Sequence, residues 1–268
     1  MRRASAGLTP VRAGALLALL AGIAGLYGLA TTEAFRIQRI DVTGTTWTSD
    51  REIRAALAVP DDHNAFAVRT ADLAGRLLRI PAVSGADVSV ALPDELRVAV
   101  TERVALMVWQ VADRRYLVDG SGLAFGELDG TGPAGAALPV IDDRRAASAN
   151  LGVGTVLDAV TLDAALRLGS LVPADIGSSA AGLDLRVDDT DGFVVRGRPT
   201  DWTAVFGFYT PTLRTPELIP GQVRLLQYLL LGREDDVLKV ILADDRSGTY
   251  VPRATPKPAP KPSPTPKP

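Results

Sequence analysis

Twenty consecutive residues, Ala13 to Thr32, carry no charge, and no other feature constrains the chain as strongly. As a helix, a run of that length covers the roughly 30 Å of hydrocarbon in a bilayer. Leu16, Leu17, Leu19, Leu20, Ile23, Leu26 and Leu29 supply the apolar surface, and Tyr27 stands near the end, where an aromatic ring suits a membrane interface. A cleaved signal peptide is the rival reading, because Gly28-Leu29-Ala30 offers small residues at a suitable spacing. The run exceeds the ~7–15 residues of a signal core, which favours an uncleaved transmembrane helix over 13–32. Arg12 abuts it and Glu33 is the first charge beyond it. That arrangement favours residues 1–12 as a cytoplasmic tail and the large body outside, against the pull of Arg36, Arg39 and Arg51 on the far side. Gly14, Ala18 and Gly22 share one helix face, either a packing stripe or a result of abundant small residues.

The pattern changes once the run ends. Phe35, Ile37, Ile40 and Val42 form a strand that Gly44 closes. Ser49 with Glu52 at the third position reads as a capped helix start, with Ile53, Ala56 and Leu57 on its buried side. Pro60 breaks that helix. Thr70 caps a second one, whose stripe is Leu73, Leu77, Leu78 and Ile80 and whose stop is Pro81. Val83, Ala86, Val88 and Val90, a turn at Leu92-Pro93-Asp94-Glu95, and Leu96, Val98 and Val100 then read as a hairpin.

From Ala105 onward the chain is mostly β. Val108–Val111 and Tyr116–Val118 make a hairpin, Asp119–Gly122 a turn, and Phe125 re-enters the core. A Gly- and Ala-rich loop covers 126–137, and Leu138–Ile141 is apolar again. Leu162, Ala165, Leu166 and Leu168 mark a helix that ends before Pro173. Leu183, Leu185 and Val187 alternate, as do Phe193 and Val195, about a turn at Asp188–Gly192. After a short strand at Val205-Phe206-Gly207, Pro220 opens a final helix with Val223, Leu226, Leu229 and Leu230, and Gly232 ends it. Val237, Lys239 and Ile241 start one strand and Gly248 to Val251 form the last. Residues 252–268 hold eight of the 19 prolines and no apolar pattern, so an extended, solvated tail is expected. It serves either as a plain spacer or as a basic tether towards anionic cell-wall polymer.

Composition removes several classes of function. There are no cysteines, hence no disulfides, thiolate metal sites or Cys nucleophile, which suits an exported domain that folds without oxidation. The net charge of −2 conceals +3 in residues 1–12 and +4 in residues 253–268, so the body between them carries −9. An acidic body argues against nucleic acid, which requires a basic face. His63 is the one histidine and sits beside Asp61 and Asp62, where a turn after Pro60 explains all three. The adjacent acids Asp142-Asp143, Asp188-Asp189 and Asp244-Asp245 are assigned to turns. Neighbours in a strand point to opposite faces and make no catalytic pair by spacing. Gly120-Ser121-Gly122 lacks the strand-to-helix setting of a phosphate loop or nucleophile elbow. No catalytic, cofactor, metal or small-molecule substrate site is read, and the chain is expected not to be an enzyme.

Taken in order, these features resemble a known family. The basic tail, the single span and Phe35-x-Ile37-x-x-Ile40-x-Val42-x-Gly44 are similar to the start of the FtsQ/DivIB bacterial cell-division proteins. Ser49, Asn64-x-Phe66, Pro81-x-Val83, Ala86-x-Val88 and Leu92-Pro93-x-x-Leu96 continue the match through that family's POTRA module. Glu102-Arg103, Trp109, Leu117-Val118-Asp119, Gly122, Phe125, Leu138-Pro139 and Val205-Phe206-Gly207 carry it into a β domain. The resemblance implies an α+β fold: a cytoplasmic tail at 1–12, a transmembrane helix at 13–32, a β-α-α-β-β POTRA module at 33–104, a β-rich domain with a few helices at 105–251, and the tail at 252–268. It implies a divisome scaffold of the inner membrane at the septum, which recruits division proteins and helps control septal peptidoglycan synthesis. The chain departs from the family at Tyr209–Pro220, a Pro- and Thr-rich insertion, and at Ile241–Arg246.

The resemblance also places partners, FtsB and FtsL, on the last part of the β domain. Arg246, Ser247, Gly248, Thr249, Tyr250 and Val251 are accordingly the expected contact residues. A terminal strand exposes unpaired backbone groups to which a partner strand adds. Gly248 is read as allowing close approach of the partner backbone and Tyr250 as an anchor, and an ordinary terminal strand is the plain alternative. Two other functions stay open, a POTRA-type chaperone or adaptor for protein export and a membrane-anchored cell-wall hydrolase.

Overall fold

The computed structural model describes residues 10–60, 63–128 and 138–253. The basic residues of 1–9, the Asp61-Asp62 pair, the Gly- and Ala-rich loop across 129–137 and the Pro- and Lys-rich tail from 254 onward lie outside the described residues. Helix α1, Pro10–Thr31, contains among the described residues the one stretch long and apolar enough to cross a membrane, Pro10–Gly28. The chain divides into two compact units, Met1–Arg103 and Val104–Pro268.

In the first unit the strands β1 (Arg39–Thr43), β2 (Val83–Ala91) and β3 (Glu95–Glu102) form a sheet in the order β1-β3-β2. β1 runs parallel to β3 and β2 antiparallel to it. Two helices, α2 (Asp50–Leu57) and α3 (Thr70–Leu77), supply Ile53, Leu57, Leu73 and Leu77 to a core shared with Leu96, Val98 and Val100. Fully burying one such side chain stabilises the fold by about 1.5–3 kcal/mol. Ser49 caps α2 as expected, its Oγ accepting from the Glu52 N–H at 3.3 Å. Two local readings change. Phe35 belongs to a 3-10 turn, Glu33–Phe35, and its ring packs 5.0 Å from that of Phe66. Thr70 is the first helical residue of α3, because the chain enters from an extended Arg69 and the cap position falls there.

The second unit is a nine-stranded sheet. Its strands are β4 (Met107–Val111), β5 (Arg114–Val118), β6 (Ala124–Glu127), β7 (Val140–Asp143), β8 (Gly182–Asp188), β9 (Gly192–Arg198), β10 (Thr203–Gly207), β11 (Val237–Leu242) and β12 (Gly248–Pro252). They stand in the order β12-β11-β10-β9-β8-β7-β4-β5-β6. The neighbours β7 and β8 are parallel, as are β10 and β11, so each pair needs a crossover. Helix α4 (Ala159–Gly169) supplies the first and α5 (Ile219–Leu230) the second. Leu162, Ala165 and Leu168 from α4 and Leu226 and Leu230 from α5 pack into one core with Trp109, Tyr116, Ile141, Phe206 and Val240.

The acid pair Asp142-Asp143 lies in β7, not in a turn. Alternation sends Asp142 to an ion pair with Arg144 at 2.7 Å and buries Asp143. Asp143 accepts from Trp109 Nε1 at 3.0 Å, Arg145 Nη2 at 2.8 Å and Ser148 Oγ at 2.5 Å. The other two pairs do shape turns: Asp188 accepts from the Thr190 and Asp191 N–H groups, and Asp244 from those of Arg246 and Ser247.

Candidate functional site

The expected contact residues fall on the β11–β12 hairpin. Val237, Val240 and Leu242 bury one side of β11 against the core, which fixes its register. The following turn is organised by Asp244, whose carboxylate accepts from Arg246 N at 2.8 Å and Ser247 N at 2.5 Å. Those backbone donors hold the Asp244 carboxyl below its usual range. β12 then pairs antiparallel with β11, Val240 opposite Tyr250 and Ile241 opposite Thr249. It ends the sheet, and all five of its residues are exposed. Ser247 O accepts from Ala243 N at 2.9 Å. Every second residue of an antiparallel strand bonds to the same neighbour. Thr249 and Val251, in step with Ser247, therefore face β11, and the N–H and C=O groups of Gly248 and Tyr250 point to the open side. Arg253 anchors the far end, with its N–H on Asp236 O at 2.6 Å and Nη2 on Thr200 O at 2.9 Å.

Gly248, Thr249, Tyr250 and Val251 lie in the strand, and Arg246 and Ser247 in the turn before it. Arg246 is almost fully solvated, its side chain 89% exposed. Tyr250 is 40% exposed and lies 6.0 Å beneath the Arg233 guanidinium. Gly248 also has a use within the fold. A Cβ there would stand 3.2 Å from Leu225 Cδ2 and Leu229 Cδ1, so the missing side chain serves the packing of α5. Around the edge, Leu238, Ile241, Val251, Tyr228 and Leu231 are exposed.

Two polar groups beside this edge escaped the sequence reading. Glu234 accepts from Ser179 N at 2.8 Å, from Trp202 Nε1 at 2.7 Å and from Ser178 Oγ, tying the start of β11 to a loop about fifty residues earlier. Burial pushes its carboxyl up, but those donors outweigh burial and hold it below the usual range. Arg214, inside the Pro- and Thr-rich insertion, reaches backbone carbonyls of β10 and β11. Neither has a local signal, since Glu234 meets residues 32 to 56 positions earlier and Arg214 a carbonyl 28 positions later.

Acid–base chemistry finds little support. Burial raises the Asp143 carboxyl, yet Arg145 and Ser148 outweigh it and keep the group ionised, as in a structural ion pair. Among the described residues no group of three or more His, Asp or Glu side chains is placed to hold a metal. His63 contributes its backbone carbonyl to Ile37 N at 3.0 Å.

A family model described as "POTRA domain, FtsQ-type" matches residues 35–103, the unit with the β1-β3-β2 sheet. The chain is 26% identical over 235 residues to the cell division protein FtsQ of Chloroflexus aurantiacus, an alignment covering 84% of this chain and 73% of that one. It is 27% identical over 216 residues to the FtsQ protein of Caulobacter vibrioides, covering 75% and 69%. With that of Mycobacteroides abscessus it shares 33% over 111 residues, 41% of this chain and 35% of the relative. One apolar helix, one FtsQ-type POTRA domain and a β-rich region define a POTRA-bearing cell-division protein. The chain is similar over most of its length to proteins of the FtsQ/DivIB family and carries their type of POTRA domain.

Proposed function

We propose that this chain is a non-enzymatic divisome scaffold of the cytoplasmic membrane, with its N-terminal tail in the cytoplasm and its body outside, at the septum. It recruits FtsB- and FtsL-like membrane proteins by letting a partner segment add as a strand to β12, and through them it helps control septal peptidoglycan synthesis. The observation that carries this reading is an edge left uncovered by the described residues: five consecutive exposed strand residues beside a β11 that buries one side in the core. Such an edge offers backbone donors and acceptors in register, and Tyr250 adds an aromatic anchor.

The test co-expresses the full chain with the FtsB- and FtsL-like proteins of the same bacterium and measures capture from detergent. Tyr250→Pro removes an outward N–H without breaking a bond to β11, and Tyr250→Ala removes the anchor. Each should weaken capture by about thirtyfold or more, the ~2 kcal/mol expected of a hot spot. Undiminished capture by both variants would sink the reading. Cell-wall hydrolysis by the purified chain, or depletion that strips surface proteins without blocking septation, would move it to a hydrolase or an export factor.

A further inference from the structure

The insertion at 209–220 is built as a fastening. Thr210 N donates to Arg214 O at 2.8 Å, and Thr210 Oγ1 accepts from the N–H groups of Leu213 at 3.2 Å and Arg214 at 3.1 Å. This tight turn aims the Arg214 guanidinium at the ends of two neighbouring parallel strands. Nη2 donates to Phe206 O at 2.5 Å and to Leu242 O at 2.7 Å, and Nη1 donates to Ala243 O. Gly207 leaves the path clear, for a Cβ there would stand 3.1 Å from Nη2. Gln222, fully buried, sends Nε2 to the same Phe206 and Leu242 carbonyls at 3.3 and 3.4 Å. Tyr209 OH donates to Gln222 Oε1 at 2.7 Å. Burial raises the Tyr209 phenol far above its usual range, with Arg214 opposing in part, so it remains a donor. The first turn of α5 presses on the hairpin as well, since a Cβ on Gly221 would lie 2.4 Å from Asp245 Cβ.

The contacts that Arg214, Gln222 and Gly221 make outside the segment end at Leu242, Ala243 or Asp245, or on β10 beside them, just before the exposed edge. The geometry points to residues 209–222 as a clasp that holds the β11–β12 turn, and with it the open side of β12, in the form to which a partner strand adds. Arg214 is its positioning residue. This rests on the reading of β12 as the partner edge. A flexible edge must be ordered on binding, at a cost in affinity, and a clasped edge is already ordered. The guanidinium suits the task because its rigid fork presents several donors at once, whereas a lysine ammonium is a point charge on a flexible stem.

The experiment uses the full chain in detergent, well below its unfolding temperature, with Arg214→Ala, Arg214→Lys and Thr210→Val. Two quantities are read: backbone amide exchange across the β unit, and capture of the co-expressed FtsB-like protein. Both Arg214 variants should speed exchange across 243–250 while the rest of the sheet stays protected, and should weaken capture about tenfold, with no rescue by lysine. Thr210→Val should shift both in the same direction by less. Unchanged exchange at 243–250 overturns the clasp. So does faster exchange throughout the unit, which marks a general structural role, and so does unchanged capture despite a loosened turn. If the unaltered chain captures nothing, the partner-edge reading falls, and local exchange alone decides the clasp.

Discussion

The two units bury different kinds of side chain. Among the described residues of the POTRA unit the buried polar one is Thr48, and the rest of the core is apolar. The β unit buries Asp119, Asp143, Ser148, Thr161 and Gln222 alongside its aromatics. An apolar core is specified by pattern and tolerates loose complementarity, whereas a buried polar group must meet its partner or destabilise the fold. The POTRA unit therefore gives the chain its recognisable identity. The β unit, through long-range polar pairings, places the edge on which the proposed partner contact depends.

The largest expected effect tests that contrast directly. Asp143→Ala leaves the half-buried Arg145, the Trp109 indole N–H and the Ser148 hydroxyl without their acceptor. Breaking a buried ion pair from one side costs about 3–5 kcal/mol. The tryptophans separate the units, Trp47 lying in the first and Trp109 and Trp202 in the second. In urea, a chain lacking Trp47 should show the loss through Trp109 and Trp202, and the fluorescence change that Trp47 adds in the unaltered background should not shift. A matching loss at Trp47 would mean that the units unfold as one. Next in size is Leu77→Ala in the POTRA core, where the fully buried leucine leaves a cavity and about 3 kcal/mol is lost. That loss should appear at Trp47.

The same contrast explains what could be read in advance. Ser49 with Glu52, the stripe of Ile53 and Leu57, the alternation of Leu96, Val98 and Val100, and Pro220 at a helix start are local signals, and each element formed there. β12 as the last strand follows from the chain pattern, whereas its expected role as a sheet-ending edge comes with the family resemblance. Asp143 was not, because its indole partner lies 34 residues earlier. Arg214 reads as part of a Pro- and Thr-rich insertion, since nothing near it in sequence announces carbonyls 28 residues later at Leu242. The packing role of Gly248 was not legible either, because Leu225 and Leu229, which approach the place of its missing Cβ, sit on another element. Periodicity finds faces, but it does not find which distant polar atoms meet.

One POTRA residue crosses that line and sets the third prediction. Glu102 accepts from the N–H groups of Thr46, Trp47 and Thr48 at 2.6, 2.8 and 2.7 Å, fixing the loop between β1 and α2. Burial pushes its carboxyl up, and the donors of Thr48, Trp47 and Thr46 outweigh burial and hold it below the glutamate range. A carboxyl depressed in the folded state adds stability that is fully present above its unfolded value, near 4.3, and is lost as pH falls through the lower folded value. The POTRA transition should thus be flat from pH 7 to about 5 and weaken below that. Glu102→Gln should cost about 1–2 kcal/mol at pH 7 and reduce the acid loss at Trp47. An unchanged acid profile would show that other carboxylates govern this unit.

The smallest effects belong to the two ends of α2 and carry opposite signs. At the start, Ser49 sits in extended backbone, φ −77° and ψ 149°, with its Oγ on the Glu52 N–H. Ser49→Ala orphans that donor and should cost about 1 kcal/mol. Ser49→Gly, which keeps a tolerated cap residue, should cost only a few tenths of a kcal/mol. At the other end the helix closes on Ala58 in the left-handed region, φ 45° and ψ 47°. An alanine pays a steric penalty there that a glycine does not. Ala58→Gly should therefore stabilise the POTRA unit by about 0.5–1 kcal/mol, the gain reduced by the freer unfolded chain. Both shifts should appear in the Trp47 transition and leave partner capture at β12 unchanged, because neither touches the β unit's polar pairings. If Ser49→Ala weakened capture as strongly as Tyr250→Pro, the division of labour between the units would be wrong, and the POTRA helix would have to be counted as part of the partner surface.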